Sequence, residues 1–278
     1  VSIAAEPHCP PEWLELRESA DAAARAVEPL VPLRAYLAGV ERVVIRDLGC
    51  GTGSLGRWLA GRLPGPQHWI LHDRDPALLT RAAANVTGPD AGGRPVTVTA
   101  ERRDITRLRA EDLAGTSLVT ASALLDLLTA GEVDALAAAC AGVGCPALLA
   151  LSVTGRADLS PADPLDAEVE AAFNAHQRRV ADGRRLLGPE APEVTAESFE
   201  RRGMTVRGYA SPWRLGTGQT TLTAEWLTGR AEAAGAVRPD LPVRAYLRRR
   251  LDACAAGELR VVVWHRDLLA LPGSVIRT

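Results

Sequence analysis

An acid and four glycines crowd together in VVIRDLGCGTGSLGRWLAGRL, between Val43 and Leu63. Gly51, Gly53 and Gly56 spell G-x-G-x-x-G, the spacing by which a strand-to-helix turn brings backbone N–H groups to a pyrophosphate. Asp47, however, stands two residues before Gly49, at the end of the preceding strand. There it would repel a pyrophosphate by a few kcal/mol at an effective dielectric of about 20, and attract a cation by a similar amount. The motif is better written D-L-G-C-G-T-G, and it suits a nucleoside carrying an ammonium or sulfonium. A tight turn without a ligand would also use the glycines, but that leaves Asp47 without a role.

The neighbouring elements must hold this loop in place. RVVIRDL is a short buried strand, and SLGRWLAGRL a helix opening at Ser54. QHWILHD is a second strand and PALLTRAAANV a helix with Pro76 at its start. A third strand, VTVTAERRD, precedes a short helix, EDLAG. TSLVTAS is a fourth strand, AGEVDALAAACAGV a helix and ALLALSV a fifth strand. This alternation predicts parallel βαβ units and a doubly wound sheet from Arg42 to about Val153. It then loosens into helix over DAEVEAAFNAHQRRVADGRR, strand over GMTVRGYAS, two helices over TTLTAEWLTGRAEAAG and VRAYLRRRLDACAAG, and a late strand over ELRVVVWHRDLL. Ahead of the core, PEWLELRESADAAARAVEPLVPLRAYLAG is helix broken by Pro29 and Pro32. Arg17, Asp21 and Arg25 recur every four residues on its polar face.

D-L-G-C-G-T-G at the end of a first strand resembles motif I of the class I S-adenosylmethionine-dependent methyltransferases. The resemblance runs in order from Val43 to Val153. It implies Asp73, in WILHDRDPALL, as the acid that grips the ribose. It implies Asp104, in AERRDIT, near the adenine amino group, with Ile105 over the ring. It places Ser122, in SLVTASALLDLL, beside the reacting centre. Asp47, Gly49, Gly51 and Gly53 complete the expected cofactor set. Blander roles stand beside these: Asp73 as a solvated strand end, Asp75 as a helix N-cap, Asp104 paired with the two arginines before it, and Ser122 as a small filler.

The methyl acceptor is harder to read. Its site should lie over the carboxyl ends of the strands. His176, in FNAHQRR, is the candidate base; Trp213 and Arg214, in SPWRLGTG, are candidates to stack on and charge-pair with an acceptor; Arg17 is a third candidate contact. Each has an ordinary alternative: a half-buried helical histidine, a core tryptophan, an ion-pair ladder. No N/D-P-P-Y/F tetrapeptide and no Pro-Cys pair follow the fourth strand, which demotes exocyclic amines of DNA and covalent attack on pyrimidines.

Composition narrows the class. The chain has 278 residues, 47% hydrophobic, with mean hydropathy -0.00, net charge -2 and pI about 6.3. No lysine occurs, and the arginines are interspersed with acids, so nucleic acid is a poor first partner. Five scattered cysteines without C-x-x-C suggest neither disulfides nor zinc and fit a reducing cytoplasm. VSIAAEPHCPPEW lacks the parts of a signal peptide, and no apolar run approaches the ~20 residues of a bilayer span.

The resemblance implies a doubly wound, seven-stranded, mostly parallel α/β sheet with helices on both faces and an antiparallel last strand. Residues 1–41 form an N-terminal helical lid and 42–278 a methyltransferase domain. Within that domain lie a core at 42–153 and acceptor-side helices and C-terminal strands at 154–278. A helical insertion, Gln219 to Gly257, precedes the last strand. The expected cofactor is S-adenosylmethionine, leaving S-adenosylhomocysteine, with no metal. The expected acceptor is a small-molecule O, N or C nucleophile. An RNA-modifying enzyme, a nicotinamide-dependent oxidoreductase and a non-catalytic cofactor-binding module stay open as alternatives.

Overall fold

Short apolar runs that stop at polar loops build the frame of the molecule, which a computed structural model describes over residues 9–273. Most of the segment judged not to be a signal peptide, 1–8, lies outside the described residues. Five strands, β1 (Val43–Leu48), β2 (Gln67–Asp73), β3 (Thr97–Arg102), β4 (Leu118–Ser122) and β5 (Ala147–Ser160), run parallel in the order β3-β2-β1-β4-β5. A two-stranded hairpin follows, β6 (Val180–Ala181) and β7 (Arg184–Arg185). The sheet is completed by β8 (Met204–Ala210), β9 (Trp213–Leu215) and β10 (Arg260–Pro272). Only β10 reverses direction, pairing antiparallel with β5 on one side and with β8 and β9 on the other. The seven expected strand positions are filled, and β9 adds an eighth piece by continuing along β10 beyond the break at Ser211–Pro212.

Alternation along the strands sends side chains to both faces, so helices must cover both. On one face α2 (Leu30–Leu37), α3 (Ser54–Ala60) and α4 (Pro76–Asn85) pack Leu33, Leu59 and Ala82 against Val43, Ile45 and Trp69. On the other, α5 (Ala130–Gly142) and α7 (Ala191–Glu200) bring Leu136, Cys140 and Phe199 onto Leu48, Val119 and Leu149. Beyond the sheet edge, α6 (Asp166–Gln177) meets α8 (Thr220–Val237) and α9 (Val243–Ala255), with Tyr246 at the centre. The N-terminal α1 (Pro11–Ala24) lays Trp13 and Leu16 on a cluster built by β9, α8 and β10.

The elements depart from the sequence expectation in three places. The helix expected over 166–185 ends at Gln177, and the hairpin takes the rest. Asp182 and Gly183 both adopt positive φ, 52° and 76°, the requirement of a tight two-residue hairpin turn. Helix α7 occupies a stretch where the pattern suggested no element, and β5 runs seven residues past Val153. Pro29 caps α2 and Pro32 falls in its first turn, where the missing N–H costs nothing.

Between α1 and α2 the chain is clasped to the sheet. Asp267 is 1% exposed and stands where β10 shifts register against β5. Its two oxygens accept from Leu151 N at 2.7 Å and Ala26 N at 2.9 Å. The first bond holds Leu151 at φ 55°, in the left-handed region. Asp267→Ala would leave both buried donors unpartnered, so a loss of ~2–5 kcal/mol is expected. Urea unfolding should show this as a lower midpoint at unchanged slope.

Candidate active site

The carboxyl ends of the parallel strands meet the N-terminal helix, and a cavity of ≈ 330 Å³ opens between them. Its floor is the glycine loop after β1. Gly53 has φ 85°, and a Cβ there would lie 2.6 Å from Val86 Cγ2. Gly51 has φ 54°, and a Cβ there would lie 3.1 Å from Leu14 Cδ1 of α1. Only glycine permits this backbone and both approaches. Helix α1 is tied down by Arg57, whose Nε donates to Glu18 at 2.8 Å, and by Arg81, which pairs with Glu15 at 2.6 Å.

Asp47 lines the cavity and is 1% exposed. Its Oδ1 accepts from the Thr120 hydroxyl at 2.8 Å, while Oδ2 is buried without a partner. Burial pushes its carboxyl up to about 7, against the Thr120 hydrogen bond and the Arg25 charge, which pull it down. Asp73 lines the same cavity. Its carboxylate cross-links two turns, accepting from Gly51 N and Asp75 N, each at 3.0 Å. Asp75 is the N-cap of α4. Asp104 and Ile105 form the next stretch of wall. The arginines preceding Asp104 are engaged elsewhere, Arg103 with Asp112 and Arg102 with the Arg74 carbonyl. Asp104 instead caps its own turn through Thr106. Ser122 lines the cavity at the end of β4.

The structure thus gathers Asp47, Gly49, Gly51, Asp73, Asp104, Ile105, Ser122 and Arg17 around one cavity, with Gly53 shaping the turn behind it. It does not bring in the other three. Trp213 is 3% exposed and lies behind α1, donating from Nε1 to Asp21 at 2.9 Å with Arg17 over its ring. The two-residue period of β9 buries Trp213 and Leu215 and turns Arg214 to solvent, away from the cavity. His176 is half-buried on α6 with its ring beside Arg179, and burial and that charge lower its pKa. The expected ladder on α1 is half formed. Arg17 pairs with Asp21 at 3.0 Å, whereas Arg25 reaches Ser54 at 3.1 Å and Ser122 at 3.4 Å.

Sequence reasoning missed three groups. Thr120 is found only through its register opposite Asp47. The β6–β7 hairpin contributes Ala181, Asp182 and Arg184 to the wall. Arg184 grips Glu132 at 2.6 Å, the third helical residue of α5, whose side chain completes the capping box with the N-cap Thr129. The Asp-Gly pair between two short runs was the available cue. The third is Asp126, between the lining residues Leu124 and Leu127; burial raises its carboxyl to about 6.

Residues 45–146 match a family model described as "Methyltransferase domain". A stretch of 64 residues is 45% identical to the biotin biosynthesis bifunctional protein BioCD of Bordetella avium, covering 23% of this chain and 14% of that protein. An S-adenosylmethionine-dependent methyltransferase of Geobacter sulfurreducens, solved with S-adenosyl-L-homocysteine, overlaps 95% of this chain and 99% of its own at 16% identity and TM-score 0.45. The YcgJ protein of Bacillus subtilis overlaps 90% and 100% at 10% identity and TM-score 0.49. The match to the family model thus spans residues 45–146, which carry the glycine loop, Asp73, Asp104 and Ser122.

The state of Asp47 sets a pH dependence. A carboxyl raised on folding holds its proton more tightly in the native state. Its stabilising contribution is therefore full below the unfolded value and is lost as pH rises through about 7. Asp47→Asn is expected to stabilise the ligand-free protein at pH 8 by ~1–3 kcal/mol, a difference that vanishes near pH 4. Parallel urea titrations at the two pH values measure it. A variant no more stable than the parent at pH 8 would contradict the raised carboxyl.

Proposed function

We propose that this chain transfers the methyl group of S-adenosylmethionine to a small-molecule O, N or C nucleophile by in-line displacement, releasing S-adenosylhomocysteine. The observation that carries the reading is the buried Asp47 carboxyl, which belongs to the cavity lining at the end of β1 and keeps one oxygen without a hydrogen-bond partner. An acid in that state calls for a cationic donor, and the cofactor's ammonium and sulfonium are both cationic. A pyrophosphate there would meet repulsion instead.

Each wall then has a task. Asp47 attracts the cationic end, the glycine loop passes under the aminoacyl chain, and Asp73 accepts from the ribose hydroxyls with lone pairs left over from Gly51 and Asp75. Asp104 and Ile105 take the adenine, and Ser122 borders the methyl. The cofactor, when bound, supplies an already activated methyl group. The protein's residues align the nucleophile and exclude water, and such orientation is worth up to ~7–11 kcal/mol in favourable cases. Residues 1–41 serve as the lid over the domain at 42–278, and Leu14, Arg17 and Asp21 of α1 form its inner surface.

A small acceptor is supported by cavity size, since ligand pockets typically span ~300–1,000 Å³. It is supported also by the surface, where exposed arginines are interleaved with acids. Arg156 pairs with Asp158, Arg201 with Asp134, Arg238 with Asp240 and Arg249 with Asp163. A polyanion prefers an unbroken basic stripe. Among the described residues no helix is long and apolar enough to cross a membrane, and a cytoplasmic location belongs to the same reading.

Thermal unfolding with S-adenosylmethionine, S-adenosylhomocysteine and NADH, each supplied alone, tests the cofactor. A ligand at 100 times its dissociation constant adds ~2.7 kcal/mol, and the first two should raise the midpoint. A shift with NADH alone would end the methyltransferase reading. Asp73→Ala should weaken S-adenosylhomocysteine at least ~10-fold by calorimetry. Unchanged affinity in a folded variant would remove Asp73 from the ribose.

A further inference from the structure

One stretch of the cavity wall has no task toward the cofactor. Leu124 and Leu127 lie in the turn after β4, Arg179 precedes β6 and Leu186 follows β7, and all four line the cavity. Backbone bonds bring them together. Leu186 N donates to the Arg179 carbonyl at 3.3 Å, closing the hairpin, and Leu187 N donates to the Leu128 carbonyl at 2.9 Å, fixing the hairpin to the turn. Leu127 is 47% exposed. Hydrocarbon left uncovered in a cavity wall suits an apolar ligand.

Most of the lining arginines are already matched. Arg17 pairs with Asp21, Arg103 with Asp112 and Arg184 with Glu132. Arg74 is engaged as well, and Arg25 bonds to the hydroxyls of Ser54 and Ser122. Arg179 has neither a carboxylate nor a hydroxyl partner among the described residues. Its Nη1 donates to the His176 carbonyl at 3.2 Å and meets the ring Nδ1 at 3.5 Å. Nε and Nη2 bond to no described residue. Burial and the Arg179 charge hold the His176 ring below its ordinary pKa, so it adds no second cation. Asp126 senses Arg179 only through its field, which leaves the guanidinium donors for another acceptor.

We infer that the methyl acceptor is a carboxylic acid with an apolar body, its carboxylate held by Arg179 and its hydrocarbon laid on Leu124, Leu127 and Leu186. The inference deepens the methyltransferase reading above and rests on it. A planar guanidinium with two unused donors matches a carboxylate in bidentate fashion. A phosphate dianion would ask for a second cation, and the neighbouring arginines already have their own partners. An amine would meet the charges of Arg179 and of the cofactor's sulfonium.

Calorimetry on wild-type protein saturated with S-adenosylhomocysteine tests this, with hexanoate, hexanamide, hexylamine and acetate titrated separately. The first three share a body and differ in head group, and acetate keeps the head group alone. Hexanoate is expected to bind at least ~10-fold more tightly than hexanamide, the scale of hydrogen bonds to a charged group. It should exceed acetate by ~10-fold or more through its buried methylenes, and hexylamine should bind least. Arg179→Met should erase the preference for hexanoate over hexanamide while leaving S-adenosylhomocysteine affinity unchanged, and Arg179→Lys should restore part of it. In wild-type protein the Arg179 Nε–H resonance should move with hexanoate and not with hexanamide, a readout that needs no variant to fold. Hexanoate bound no better than hexanamide or acetate, or a preference that survives in a folded Arg179→Met protein, overturns the inference. So does silence from every probe. Each of these leaves the cofactor reading intact, because S-adenosylhomocysteine is bound throughout. Wild-type protein that does not bind S-adenosylhomocysteine ends that reading itself.

Discussion

A carboxyl group kept out of water at the end of β1 is the constraint around which the site is organised. Asp47 cannot be solvated there, so the structure must supply its partners. Strand β4 does so by register, placing Thr120 directly opposite. The glycine loop does so by conformation, since positive φ at successive glycines lets the backbone turn past the acid without adding a side chain to the cavity. The remaining demand, for a positive charge, is met only at a distance by Arg25. Burial outweighs both partners and raises the carboxyl to about 7.

Burial of Asp47 depends in turn on α1, and α1 depends on elements far along the chain. Its inner side meets the glycine loop through Leu14. Its outer side rests on Trp213, Leu222 and Leu259, a cluster completed by Cys254 of α9. The two helices inserted before β10 therefore act on the cavity indirectly, by supporting a helix that lines it. Surface pairs such as Arg81 with Glu15 add little individually. The stronger fastenings are buried: Trp213 Nε1 on Asp21, and Ala26 N on Asp267. A helix held this way is a fixed wall of the cavity.

The parallel core was legible in the sequence because strand and helix there follow local rules. QHWILHD became β2 to the residue, and Pro76 opened α4 as its fixed φ allows. Asp47, Asp73, Asp104 and Ser122 were findable because each lies at or just past the end of a strand, and strand ends in a parallel sheet all face one side. Residues delivered by tertiary packing were not. Trp213 and Arg214 share a short motif, yet the period of β9 separates them onto opposite faces. His176 has a promising neighbourhood in the sequence, but α6 ends one residue later and the hairpin, not the helix, reaches the cavity. The hairpin was missed because arginine and alanine favour helix locally, and the Asp-Gly turn outweighs them over only a few residues.

The titration of the interior argues for a site built to bind and align rather than to pass protons. All four described histidines have lowered pKa values, His72 to about 4 and His265 to about 3, chiefly through burial. At neutral pH they are neutral, and none lines the cavity. Arginine supplies every lining cation and cannot accept a proton. Asp47 lines the cavity and titrates near neutrality, and Asp126 lies just below it in pKa and behind the wall in space. Thr120, directly opposite on β4, occupies one Asp47 oxygen, and Ser122 follows two residues further along the same strand. The described lining therefore offers fixed charges at the ends of the parallel strands, set in place by the register of β1 with β4 and of β2 with β3.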